Sequence, residues 1–262
     1  SHGASAGKER ASASARRAEW RSPLSSPWNP AQYERFANER TRPFLDLLAM
    51  ITPIPGGRVV DLGCGTGELT RFMHGTTGAR SSIGLDNSET MLERSAQYTG
   101  DGLTFRLGTI LRFAPQRPFD LIFSNAALQW VPDHERLFER LRAGLAPGGQ
   151  LAVQVPSNHD HPSHLVAHAI AREEPFRTEL DGYTRQVPVQ RLDWYANRLN
   201  DLGFPEQHVR EQVYGHHLAG PEEVVEWTKG TLLTDYEQRL APESFAAFLA
   251  LYRERLLAEL GD

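Results

Sequence analysis

Apolar and β-branched residues recur along this chain in five short runs, each bounded by turn-forming residues. They are Arg58-Val59-Val60-Asp61-Leu62, Ser82-Ile83-Gly84-Leu85-Asp86, Leu103-Thr104-Phe105-Arg106-Leu107, Phe119-Asp120-Leu121-Ile122-Phe123 and Gln150-Leu151-Ala152-Val153-Gln154-Val155. Between the first three runs, and before the fifth, the period changes to that of a helix, over Glu68 to His74, Ser88 to Tyr98 and Asp133 to Leu145. Strands that alternate with helices predict a doubly wound, mostly parallel α/β sheet with helices on its faces. In the last of these helices Leu137, Phe138, Leu141 and Leu145 share one face, and Pro147-Gly148-Gly149 is the expected stop.

The flanks read differently. Residues 1–27 are mostly Ser, Ala, Arg and Gly with almost nothing to bury, which predicts a disordered tail or a remnant of tag removal. From Trp28 onward apolar positions return, so residues 28–156 read as a ligand-binding core with an N-terminal helical cover. After Pro156 the alternation breaks, and residues 157–207, rich in His, Arg and Tyr, read as a lid inserted after the fifth strand. Residues 208–262 read as a strand return at His208 to Tyr214 followed by C-terminal helices, in which Phe245, Phe248, Leu249, Tyr252 and Leu256 form an apolar face.

With 262 residues and 40% hydrophobic side chains the chain is long enough for a sizeable core. No apolar stretch approaches the roughly 20 residues of a membrane span, and no secretory layout is visible, so a soluble, cytoplasmic protein is expected. A single cysteine, Cys64, precludes an internal disulfide. The formal net charge of −5 argues against a nucleic-acid partner.

The strongest chemical signal is Val59-Val60-Asp61-Leu62-Gly63-Cys64-Gly65-Thr66-Gly67. A buried strand that runs into three alternate glycines turns tightly and lets a ligand approach the bare backbone. Dinucleotide sites place a further glycine at the next position, where this chain has Glu68. The loop therefore favours a nucleoside ligand without a pyrophosphate and disfavours a nicotinamide-dependent oxidoreductase. Asp86, 19 residues beyond Gly67, ends the second strand beside this loop, where a carboxylate can accept hydrogen bonds from ribose hydroxyls or cap the next helix.

The glycine loop and Asp86 resemble those of class I methyltransferases that use S-adenosylmethionine. The segments Trp28-Asn29-Pro30, Arg40-Thr41-Arg42-Pro43, Ser124-Asn125-Ala126-Ala127-Leu128-Gln129-Trp130-Val131-Pro132-Asp133-His134, Leu151 to Pro156 and Pro162-Ser163-His164 are similar to the trans-aconitate methyltransferase family. The resemblance implies a seven-stranded sheet and S-adenosyl-L-methionine as cofactor, with S-adenosyl-L-homocysteine as product. It implies that Asp61, Gly63, Cys64, Gly65, Gly67, Asp86, Asn87, Thr109, Ile110, Asn125 and Ala126 hold the cofactor, with Tyr33 and Arg40 or Arg42 folding over it. Two departures stand out. Thr109 replaces the family's acidic adenine partner, and the chain reaches Gly261-Asp262 without the family's closing antiparallel strand, either because that strand is omitted or because the sheet has one strand fewer.

The expected activity is methylation of a small molecule, O-methylation of a carboxylate on a trans-aconitate-like acid. The alternatives are a larger aromatic or amine acceptor and a non-catalytic cofactor-binding module. A carboxylate is ionised at neutral pH and needs no general base, whereas a phenol or amine does. Candidates at the acceptor are Trp28, Trp130, Arg177, Tyr195 and Tyr214, with His164, His134 and Asn125 as catalytic candidates. The insert supplies Arg172, Arg177, Arg185 and Arg191 to meet carboxylates, together with acids that dilute its positive charge. The run His159-Asp160-His161-Pro162-Ser163-His164 with His168 suggests a metal site, but Pro162 interrupts the ligand frame and no bound metal is expected. A monomer is the expected state.

Overall fold

A computed structural model describes residues 41–261, apart from 186, 216, 219, 230 and 231. Trp28, Tyr33 and Arg40, and the expected tail, lie outside the described residues. The chain enters through α1 (Arg42–Leu48), which buries Phe44, Leu45 and Leu48. It then alternates through β1 (Arg58–Leu62), α2 (Glu68–Thr77), β2 (Ser81–Asp86), α3 (Glu89–Ser95), β3 (Leu103–Leu107), β4 (Phe119–Asn125), α4 (His134–Ala143) and β5 (Leu145–Gln154). The five strands form one sheet in the order β3-β2-β1-β4-β5, every pair parallel. The order reverses between β1 and β4, and in such sheets ligands bind beyond the carboxyl ends of the strands at that point.

Central β1 is buried along Val59 to Leu62, as a strand covered on both faces must be. Helix α2 starts and ends on left-handed glycines, Gly67 (φ +78°) and Gly78 (φ +68°). Its His74 spans between Ser82 Oγ (2.8 Å) and the Asp101 carbonyl (3.0 Å), which satisfies a polar group buried against β2. Helix α3 is capped by Ser88, whose hydroxyl accepts the Met91 N–H. The helical run to Tyr98 finishes as a 3-10 turn, Ala96–Tyr98.

Helix α4 buries Leu137, Phe138 and Leu141 as the spacing predicts, but stops at Gly144 rather than at Pro147. The chain joins the sheet at once, because the Phe119 N–H reaches the Gly144 carbonyl. The pairing then jumps: Phe119 faces Leu145, while Leu121 faces Gln150. Pro147-Gly148-Gly149 thus form a bulge inside β5, where a Cβ on Gly149 would stand 2.9 Å from the Ala146 oxygen.

The remaining helices are α5 (Pro162–Ala171), α6 (Phe176–Glu179), α7 (Leu192–Asp201), α8 (Glu222–Lys229), α9 (Thr234–Glu237) and α10 (Pro242–Leu260). They divide the expected lid in two. Ala167, Ile170, Phe176 and Leu180 share a core with Val225, Tyr236, Phe248, Tyr252 and Leu256 of the C-terminal helices. Tyr195, Leu199, Leu202 and Phe204 instead pack against the core of the sheet. Residues 157–207 thus form the helical insert expected after β5, its first two helices packed on the C-terminal helices and α7 on the sheet.

The expected strand at His208 to Tyr214 is absent: the segment pairs with no strand, and Val213 is 82% exposed. Valine and tyrosine favour strands only where a neighbour covers them. The segment is held through a side chain, the Tyr214 hydroxyl donating to Asp46 on α1 at 2.9 Å. The sheet has five strands among the described residues, against the seven expected.

Candidate functional site

The loop after β1 explains its own glycines. Gly63, Gly65 and Gly67 have φ of +84°, +54° and +78°, a region costly for other residues. A Cβ on Gly63 would stand 2.3 Å from that of Ala127, and one on Gly67 would overlap Phe105 (2.6 Å) and Ser95 (2.7 Å). At Gly65 no heavy atom lies within 4 Å of the corresponding position, so the backbone there is bare. The first and third glycines serve packing, and the middle one leaves room for a ligand.

Asp86 fastens the loop to β2. One carboxylate oxygen accepts the Gly65 N–H (2.8 Å) and the other the Ser88 N–H (2.9 Å). The helix-start reading of this residue is met by the Ser88 contact, and the Gly65 contact sets the carboxylate against the glycine loop. Each oxygen retains a lone pair for another donor. Asp61 is buried within β1 and receives the Thr70 hydroxyl at 2.6 Å. Burial pushes its carboxyl up to about 7, opposed by the Thr70 hydrogen bond and helped by the charge of Asp86. The Cys64 thiol is pushed up by burial and by these two acids, so it is not a reactive thiolate. Asn87 is exposed, and Thr109 caps a 3-10 turn, Ile110–Arg112, by accepting the Leu111 N–H at 3.2 Å.

Across the switch point, the Ser124 hydroxyl donates to the Leu62 carbonyl (2.8 Å) and ties β4 to β1. Ala126 takes a left-handed φ of +52°, and the Gln129 amide donates to its carbonyl at 2.8 Å. Asn125 Oδ1 and Gln154 Oε1, on residues paired across β4 and β5, are buried without hydrogen-bond partners among the described residues, as is Gln129 Oε1. Three unfilled acceptors at one strand end suit a ligand that carries donors. Together with the bare Gly65 backbone and the free lone pairs of Asp86, they fit an adenosyl group bearing an ammonium.

Beside this floor opens a pocket of about 580 Å3 whose walls include Gln129, Trp130, Asp133, Tyr183, Arg185 and Asp235. Trp130 ends a 3-10 turn, Leu128–Trp130, and is 56% exposed. The Arg185 guanidinium lies 4.1 Å from the centre of its ring. Of the expected acceptor residues that are described, Trp130 lines this pocket and Arg177, Tyr195 and Tyr214 do not. Arg177 pairs with Glu174 (2.9 Å) on the surface, Tyr214 stands against Asp46 on α1, and Tyr195 does not line the pocket. Arg42 is exposed over the Tyr214 ring, 5.9 Å from its centre.

His134 is engaged on both sides. Its Nε2 faces the Leu128 carbonyl (3.0 Å), which only accepts, so that nitrogen carries the proton; Nδ1 therefore accepts from the Tyr195 hydroxyl (2.6 Å). Burial lowers its pKa. With neither nitrogen free, His134 supports the turn that carries Trp130 and cannot serve as a base. His164 is half-buried near Arg185, and burial, reinforced by that positive charge, pushes it down to about 4. Its Nδ1 contacts Ser163 Oγ (3.2 Å), and it does not line the pocket. No group of three or more metal-ligating side chains occurs among the described residues, and no helix there is long and apolar enough to cross a membrane.

Sequence reasoning named Arg185 only among four arginines of the insert, and did not single out Tyr183, Asp235 or Gln154. Arg185 is one of four arginines in the insert with nothing local to distinguish it, and Asp235 comes from a C-terminal helix whose destination no spacing reveals.

A sequence profile described as a methyltransferase domain matches residues 33–212. The trans-aconitate 2-methyltransferase of Deinococcus radiodurans is 45% identical, over 88% of this chain and 91% of that protein. That of Variovorax paradoxus is 41% identical, over 87% and 88%. A crystal structure of an S-adenosylmethionine dependent methyltransferase from Mesorhizobium loti is 30% identical, covering 66% of this chain and 83% of that one, with a TM-score of 0.49. The chain belongs to the S-adenosylmethionine-dependent methyltransferases, in the family of the trans-aconitate 2-methyltransferases.

Proposed function

We propose that this enzyme transfers a methyl group from S-adenosylmethionine to a carboxylate oxygen of a small polycarboxylic acid of the trans-aconitate kind. The relatives named above support the acid. The observation that carries the reading is the chemistry of the pocket walls, which include no histidine among the described residues and whose two carboxylates are both paired with arginine. Asp133 is held by the Arg136 N–H and side chain. Asp235 receives the Tyr183 hydroxyl and pairs with Arg239. His134 is fully engaged. A phenol or ammonium acceptor would need a proton removed, but a carboxylate is already a nucleophile.

The bound cofactor supplies an electrophilic methyl group on a sulfonium. For that group, Gly63, Gly65 and Gly67 would hold the methionine portion and Asp86 the ribose, with Asp61 behind the loop. Asn125 and Ala126 would form the floor, while Thr109 and Ile110 border the adenine. The protein's task is then placement of the acceptor and exclusion of water. Trp130 and Tyr183 line the pocket where that placement would occur.

Incubation with tritiated cofactor and trans-aconitate tests the proposal. Methyl counts in the acid that are released by mild alkali, as from an ester, are the expected result. Alkali-stable counts, or none, would refute it.

A further inference from the structure

Arg185 stands out among the charged groups that wall the pocket. The two carboxylates there, Asp133 and Asp235, are already engaged with Arg136 and with Tyr183 and Arg239. The Arg185 side chain makes no ion pair or hydrogen bond with any described residue; its charged end lies over the Trp130 face instead. It is half-buried, and burial lowers its pKa while Asp235 only partly offsets this. A guanidinium removed from water without an anion is costly, and its planar fork matches a carboxylate. A cation–π contact with an indole face uses none of the guanidinium's N–H donors, which stay available for such a partner.

The position is also informative. Trp130 follows Asn125, Ala126 and Ala127 by one short turn, and Ala127 touches the glycine loop. Gln129 links the two places: it lines the pocket with Trp130 and Arg185, and its amide donates to the carbonyl of Ala126 on the floor.

We infer that Arg185 binds a second, non-reacting carboxylate of the acceptor and thereby sets a preference for di- and tricarboxylic over monocarboxylic acids. This rests on the carboxylate-acceptor reading above.

The test compares the full chain with Arg185→Gln and Arg185→Lys, using trans-aconitate and a monocarboxylic enoic acid as acceptors. For Arg185→Gln the KM for trans-aconitate should rise about 30-fold, as expected for a lost charge-assisted pair. Its kcat and S-adenosylhomocysteine affinity should hold, and discrimination against the monoacid should fall by the same factor. Arg185→Lys should recover part of the loss. Intact discrimination, or a fall in kcat alone, would overturn the inference. Should the wild-type protein methylate neither acid, the carboxylate reading fails by itself. Calorimetry of trans-aconitate on the S-adenosylhomocysteine complex then decides Arg185 separately. Binding that Arg185→Gln loses supports the anion seat, and binding equal in both proteins, or absent from both, refutes it.

Discussion

The Cβ that Gly63 lacks would fall 2.3 Å from the Cβ of Ala127, so the cofactor loop and the turn leading to Trp130 touch with no space between them. Any side chain at residue 63 must separate these two segments. Gly63→Ala should therefore lose about 3 kcal/mol of stability, combining left-handed strain of about 1–2 kcal/mol with overpacking. Gly65→Ala, with open space around it, should lose only the strain. Urea unfolding of both variants checks the contrast, and equal losses would contradict it.

Asp86→Ala removes the acceptor of the Gly65 and Ser88 amides and the partner assigned to the ribose. Affinity for S-adenosylhomocysteine should weaken by about 1–3 kcal/mol, the range for an orphaned polar group. Calorimetry reads this directly, and unchanged affinity would remove Asp86 from the ribose site.

Asp61 has a folded pKa raised by burial to about 7 from 3.8. Its proton favours the folded state, so its contribution is full below 3.8 and is lost as the pH rises through 7. Asp61→Asn cannot ionise. The unfolding free energy of this variant relative to wild type should climb between those two pH values and level off above. A difference that stays constant with pH would exclude a titrating Asp61.

His164 shows the opposite sign. Burial lowers its folded pKa to about 4 from 6.5, so stability is full above 6.5 and falls as the unfolded chain takes up a proton between those values. Replacing His164 by Gln should flatten the acid limb of the stability curve measured by thermal unfolding.

Tyr195→Phe would leave His134 Nδ1 buried without its donor. The expected effect is a loss of about 1–3 kcal/mol in stability, with turnover per folded molecule unchanged. A selective fall in kcat at full stability would restore Tyr195 or His134 to the chemistry.

The sheet was legible because each strand is a compact β-rich run closed by Gly, Asp, Asn or Pro, and parallel strands buried on both faces leave that imprint. The glycine loop and Asp86 were legible because their spacing is itself the geometry. His208 to Tyr214 misled because strand propensity carries no information about whether a neighbouring strand exists to pair. Pro147-Gly148-Gly149 misled because the same residues that stop a helix also form a bulge. The pocket walled by Trp130 and Arg185 was the least legible part. Arg177 and Arg185 are equivalent in sequence, and only the packing of α5 and α6 on the C-terminal helices sends one to the surface and the other onto Trp130.

The most direct measurement supplies donor labelled with carbon-13 at the methyl group to an equimolar mixture of trans-aconitate, a phenol and a primary amine, and follows the label by NMR. The site described here predicts a single new resonance in the methyl ester region. A methyl ether or N-methyl signal, with the acid untouched, would contradict it.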